Sequence, residues 1–96
     1  MEKFNEETIS LLAFEYRNRL ADKVMDAIRD KATEVAKTGG CSFMFFISSC
    51  LGFKSPMVGE EVEKRVKTLG FYCEPFDKKK FEVDELGISW KVNPSI

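Results

Sequence analysis

The sequence predicts an α+β domain: a long N-terminal helix, then a β-α-β-β unit forming a three-stranded, mainly antiparallel sheet. Three observations carry this. Residues 5 to 37 contain no Pro and no Gly and are rich in strong helix formers. Gly39-Gly40 is followed by an unbroken apolar run, Cys41-Ser-Phe-Met-Phe-Phe-Ile47. The last third alternates aromatic and branched residues around a polar turn, Asp77-Lys-Lys-Lys80. A chain of 96 residues is one domain's worth, so residues 1–96 read as one unit.

The first helix is bounded by chemistry at both ends. Asn5 suits an N-cap, Glu6 and Glu7 sit where the macrodipole favours acids, and Lys37 with Gly39-Gly40 marks the stop. At 100° per residue its apolar positions fall into two groups. Leu11, Phe14, Ala21, Met25, Ile28, Ala32 and Val35 share one face over the whole length, whereas Ile9, Leu12, Tyr16, Leu20, Val24 and Ala27 lie nearly opposite. A helix with two apolar faces needs two partners. Either it kinks between about Arg17 and Asp22 and folds both faces inward, or a second copy covers one of them. Read as heptads, Leu11, Phe14, Asn18, Ala21, Met25 and Ile28 occupy successive a and d positions, and a single Asn at an a site fixes register. These six residues are the expected self-association seam, and a homodimer the expected state.

Cys41 to Ile47 is apolar on both sides of the alternation, which predicts a central strand. Ser48 to Pro56 reads as a loop. Val58 to Leu69 is a short amphipathic helix, apolar at Val58, Val62, Val66 and Leu69 and stopped at Gly70. Phe71 to Phe76 is a strand, and a last strand lies between Phe81 and Val92, with Leu86, Ile88, Trp90 and Val92 facing the core. Gly87 reads as a bulge or close-approach position.

Composition narrows the function. The chain is 44% hydrophobic and 32% charged, with a net charge of −1. That is globular, neither a disordered tail nor a polybasic protein. Histidine is absent, which removes the commonest general base and neutral metal ligand. Three cysteines, Cys41, Cys50 and Cys73, without a Cys-x-x-Cys pair or a basic-apolar leader, predict free thiols in a reducing cytoplasm. Cys41 and Cys73 read as small core hydrophobes, and Cys50 as an incidental thiol on the loop. The apolar run is far shorter than the roughly 20 residues that span a bilayer, so no membrane association is expected.

No recognisable catalytic motif is present. A cysteine nucleophile would need Lys or a carboxylate as base, and Glu60, Glu61 and Glu63 read as dipole complementation in a first turn, not as a metal site. Gly39-Gly40 precedes a strand, so it lacks the helix N-terminus of a phosphate loop. No catalytic residue, cofactor or metal is expected.

The short helix and following hairpin echo the recognition helix and wing of winged-helix domains. Lys78, Lys79 and Lys80 would then form a wing tip touching phosphates. Against this, the helix carries three Glu beside Lys64, Arg65 and Lys67. Only one helix fits between the first two strands, where the winged motif wants two. The net charge also lacks the basic excess of a phosphate binder.

From Gly39 to Trp90 the pattern of a Gly-terminated helix, an apolar strand, a short helix ending Leu69-Gly70-Phe71, a hairpin and a closing Ile88-Ser89-Trp90 resembles small phage and viral accessory proteins. That resemblance covers just over half the chain, rests on packing motifs and transfers no site residue. It implies a setting: a non-enzymatic accessory protein, such as an inhibitor of a host defence system. The expected activity is protein binding, to itself or to a host complex, with nucleotide or nucleic-acid binding through the lysine turn as the alternative.

Overall fold

The structure is a computed structural model and describes residues 5–75 and 84–91. It is the predicted α+β fold: α1 (Glu6–Lys37), β1 (Ser42–Phe46), α2 (Ile47–Leu51), α3 (Pro56–Thr68), β2 (Tyr72–Pro75) and β3 (Glu85–Ser89). The molecule is elongated, 59 × 30 × 22 Å, because α1 runs its 32 residues without a break. At 1.5 Å per residue such a helix is about 48 Å long. No break forms between Arg17 and Asp22.

Both ends of α1 follow their sequence signals. The Asn5 side chain accepts from the Thr8 backbone N–H at 2.8 Å. At the other end Gly39 takes φ +85°, and the N–H groups of Thr38, Gly39 and Gly40 return to the carbonyls of Val35 and Ala36. This settles the last carbonyls and turns the chain into β1.

The sheet differs from expectation in its centre. Strand order is β1-β3-β2, both pairings antiparallel, so β3 is the central strand and β1 an edge. The apolar run Cys41–Ile47 reads as central because both faces are apolar, yet only one is used. Phe43 and Phe45 turn towards the helices, while Met44 and Phe46 stay exposed on the open face. On β3 the inward pair Leu86 and Ile88 is buried, opposite Phe45 and Phe43 on one side and Pro75 and Cys73 on the other. Gly87 is no bulge: it pairs in register with Met44 and Glu74, and an added Cβ would meet the Met44 sulfur at an ordinary 3.5 Å.

Where a loop was expected, Ile47–Leu51 makes a turn and a half of helix. Its start is held from a distant point of the chain. The Asp84 carboxylate accepts from the Ser48 backbone N–H at 2.9 Å and from its hydroxyl at 2.8 Å, and the Asp84 carbonyl accepts from Ile47 N–H at 2.9 Å. Two helices therefore stand between β1 and β2, which removes the objection that only one fits there.

One core joins these layers: Ala21, Val24 and Ile28 of α1, Ile47 of α2, Val58, Val62 and Val66 of α3, and Cys73, Leu86 and Ile88 of the sheet. It draws on both predicted faces of α1, Ala21 and Ile28 from one and Val24 from the other. Trp90, expected fully inward, follows β3 and is half-buried, edge-on to Phe43 (6.1 Å) and Phe71 (6.0 Å).

Candidate interaction surfaces

The core begins at Ala21, and no residue of α1 before it is buried. The first three turns project past the rest of the domain, and Ile9, Leu11, Leu12, Phe14 and Tyr16 are each between 45% and 59% exposed. These side chains come from both apolar groups, Leu11 and Phe14 on one side and Ile9, Leu12 and Tyr16 nearly opposite, so the projecting segment is apolar on two sides. Single exposed apolar residues are ordinary, but clusters of large ones mark interaction sites.

The six seam residues divide. Leu11 and Phe14 are exposed, Asn18 and Met25 half-buried, and Ala21 and Ile28 sit in the chain's own core. A parallel coiled coil along all of α1 would need Ala21 and Ile28 a second time, so the surface offered to a partner is shorter than the heptad reading gave. Asn18 is also engaged: its side-chain oxygen accepts from Arg65 Nη2 at 3.1 Å.

Arg65 ties α3 to α1. Its Nη1 reaches Asp22 at 2.7 Å and its Nε reaches Glu61 at 3.1 Å. The hydrogen bond to Asp22 holds the guanidinium above its ordinary pKa against the opposing effect of burial, with Glu61 adding to the shift. Lys67 is likewise raised, by its 2.7 Å hydrogen bond to Glu63. Of the three cations on α3, two are therefore neutralised within the fold, and Lys64 alone makes no ion pair among the described residues. This is a poor phosphate-facing surface. Lys78, Lys79 and Lys80 lie outside the described residues.

Beside this network, α1, α3 and the sheet leave two adjoining apolar hollows. One of ≈ 370 Å³ is lined by Met25, Glu61, Lys64, Arg65, Thr68 and Leu69. The other, of ≈ 190 Å³, lies between Met25, Ile28 and Ala32 of α1 and Val66, Leu69, Phe71 and Ile88. Met25 and Leu69 border both, and Leu69 is 65% exposed. Sequence reading placed Leu69 on the apolar face of its helix. It missed the groove, because Leu69 sits past the last helical turn, where no core partner reaches it.

The thiols separate by environment. Cys73 is buried as expected, and burial, with Glu63 adding, pushes its pKa up to about 11, so it is held protonated. Cys41, expected in the core, is exposed: it shares the parity of Phe43 and Phe45 but lies before the first residue of β1, at the end of the sheet. Cys50 is half-buried on α2 instead of lying on a loop. Nothing local to Asp84 marks it as a cap, because its partner Ser48 is 36 positions away. Among the described residues no group of three or more His, Cys, Asp or Glu could hold a metal, and no helix is long and apolar enough to cross a membrane. No family model matches the chain, and searches of curated proteins and of solved structures likewise return no match.

Proposed function

We propose that this protein is a non-enzymatic binding protein that self-associates through the projecting half of α1. The observation that carries the reading is the exposure of Ile9, Leu11, Leu12, Phe14 and Tyr16 on one continuous, capped helix. With exposed areas of about 100 Å² each for side chains of this size, the two groups together leave on the order of 500 Å² uncovered per copy, of which a single partner helix covers one group. A homodimer satisfies the stranded helix at least cost in new assumptions, since two-fold dimers are the commonest assembly. Light scattering behind size exclusion tests it: a dimer is expected at high micromolar concentration, and a strict monomer refutes it.

The chemistry fits binding without catalysis. Cys73 is buried and protonated, there is no histidine, and the Asp84 carboxylate is spent on the Ser48 cap. The resemblance to phage and viral accessory proteins makes a host complex in the host cytoplasm the natural further partner, with inhibition of a defence system as one form of the activity. Affinity purification from the native host tests that part.

A second reading has one observation in its favour. With α2 and α3 both present between β1 and β2, the arrangement supplies the two helices that a winged nucleic-acid module wants. The internal ion pairs of Arg65 and Lys67 weigh against it, leaving the lysine turn as the contact. Duplex titrations at low and moderate salt decide this. Binding that falls steeply with salt and is lost on Lys78→Glu with Lys79→Glu supports it, and salt-independent or absent binding refutes it.

A further inference from the structure

Three strands leave two edges, and the two are built differently. In an antiparallel ladder the main-chain hydrogen bonds join every second pair of residues. Trp90 N–H donates to the Cys41 carbonyl at 3.0 Å and Ile47 N–H to the Asp84 carbonyl at 2.9 Å, one at each end of the β1–β3 register. Odd-numbered residues of β1 therefore bond to β3. The N–H and C=O groups of Ser42, Met44 and Phe46 point the other way, to an edge that no other described strand occupies. By the same alternation the outer edge of β2 offers Cys73 and Pro75, and Pro75 has no N–H to give. Glu74 lies on that strand, and the Lys67–Glu63 pair stands beside it. Proline and charge are the usual guards of a sheet edge. β1 has neither, and no charged residue occurs from Thr38 to Phe53. Its inward side is open too. Phe43 and Phe45 face the helices yet are only half-buried, whereas Ile88 and Leu86 opposite them on β3 are buried.

Such an edge is completed by an extended, uncharged strand that is apolar on both faces. Among the described strands β1 itself has that chemistry: β2 carries Glu74 and Pro75, and β3 is already paired on both sides. We propose that β1 is a docking edge for β1 of a second copy, paired antiparallel about a two-fold axis through Met44, so that two three-stranded sheets become one of six strands. Outward-facing residues must meet outward-facing residues, and centring on Met44 pairs them all. Ser42 meets the partner's Phe46, Met44 the partner's Met44, and Phe46 the partner's Ser42, each pair exchanging both of its N–H···O=C bonds. Shape agrees, because on the open face a large side chain meets a small one at both ends. On the covered face Phe43 meets the partner's Phe45 in a non-hydrogen-bonded pair, where Cα atoms are about 4.5 Å apart and aromatic pairs are favourable. No like charges are brought together along the strand. The contact uses nothing of α1 before Ala21 and does not rest on the α1 reading. A chain that makes both contacts assembles past the dimer, since each two-fold uses a different patch.

The test separates the two contacts. Leu12→Glu with Phe14→Glu removes the exposed α1 patch and leaves β1 intact, and light scattering at high micromolar concentration is expected to find this variant dimeric. Adding Met44→Lys sets two ammonium groups opposite each other, so that protein is expected to be monomeric, as is the one carrying Met44→Glu instead. Mixed in equal amounts, the two are expected to recover the dimer, because this register sets position 44 against position 44. Met44 lies on the open face, so each variant keeps its far-ultraviolet spectrum. Hydrogen exchange is the second measurement. Amides of Ser42, Met44 and Phe46 gain protection with concentration, while those of Phe43 and Phe45, already bonded to β3, do not change. A dimer that survives Met44→Lys, a mixture that stays monomeric, or outward amides indifferent to concentration overturns the edge pairing. A monomeric Leu12→Glu, Phe14→Glu variant of a dimeric parent overturns it and leaves the α1 reading standing; a monomeric parent overturns both.

Discussion

A pair of substitutions on one helix separates its two halves: Ile28→Ala in the core and Leu12→Ala on the projection. Ile28 is 5% exposed and touches both α3 and the sheet side of the core. Removing three carbons forfeits about 0.8 kcal/mol each in transfer free energy, and the cavity left behind raises the total to about 3–4 kcal/mol. For a domain of this size the whole stability is about 5–15 kcal/mol, so the variant unfolds at much lower urea. Leu12 is 54% exposed and contributes nothing to the core. Within one chain its loss costs under about 0.5 kcal/mol, partly offset by alanine's better helix propensity.

Association changes the second value and leaves the first alone. If a second copy covers the projection, urea midpoints of the parent rise with protein concentration, by mass action. Leu12→Ala then lowers the midpoint at about 100 μM and leaves it unchanged at about 1 μM. Circular dichroism at 222 nm follows both transitions. Hydrogen exchange gives a residue-level check, because isolated helices shorter than about 12–15 residues are marginal in water. Amides from Ile9 to Tyr16 should be protected only at the higher concentration. A Leu12→Ala cost of about 3 kcal/mol at low concentration would refute the reasoning, since it would mean that the projecting half packs into its own chain.

Three further outcomes follow from particular contacts. Asp84→Ala removes the cap on α2 and should cost about 1 kcal/mol in urea denaturation, with Asp84→Asn recovering part of it; no loss would show that the Ser48 contacts do not hold the helix. Cys73 is held protonated in the native state, so its contribution is intact below the thiol's ordinary 9.0 and lost as pH rises towards about 11. The decline approaches about 2–3 kcal/mol and should be absent in Cys73→Ala, and native Cys41 should alkylate far faster than Cys73. Trp90 is half-buried between two edge-on phenylalanines, so its emission should lie between that of buried and free indole, and Trp90→Ala should cost about 2–3 kcal/mol. Emission at the free-indole position would refute that packing.

What was legible in the sequence was whatever is decided locally. The ends of α1 are written in Asn5, Glu6, Glu7 and Gly39, and the periodicity of Val58, Val62 and Val66 places α3 on the core. What escaped is decided across the chain. The helix Ile47–Leu51 has no N-terminal cap of its own, because its cap is Asp84. The rank of β1 in the sheet could not be read from its composition. An edge strand with an uncovered apolar face and a central strand with two covered faces have the same alternation, and only pairing with β3 distinguishes them. The two-faced character of α1 was visible, but its division was not: the core takes a seam between the faces and starts only at Ala21.

The position of that start bears on function more than the topology does. A helix meant only to cover a three-stranded sheet needs the length of the sheet and its flanking helix, and from Ala21 to Lys37 α1 supplies it. Residues before Leu20 add no apolar side chain to the single-chain core, yet they are capped, free of Gly and Pro, and carry five large exposed apolar side chains. Exposed apolar side chains with no partner favour aggregation. The α3 surface, by contrast, spends its charges internally: Arg65 on Asp22 and Glu61, Lys67 on Glu63. Arrangement of helices and strands does not specify activity; the surfaces do. Here the helix that a winged module would turn towards nucleic acid is electrostatically satisfied, and the helix that such a module uses as scaffold is the unsatisfied one. The incomplete surface is apolar, and that supports the proposal that its complement is another protein surface.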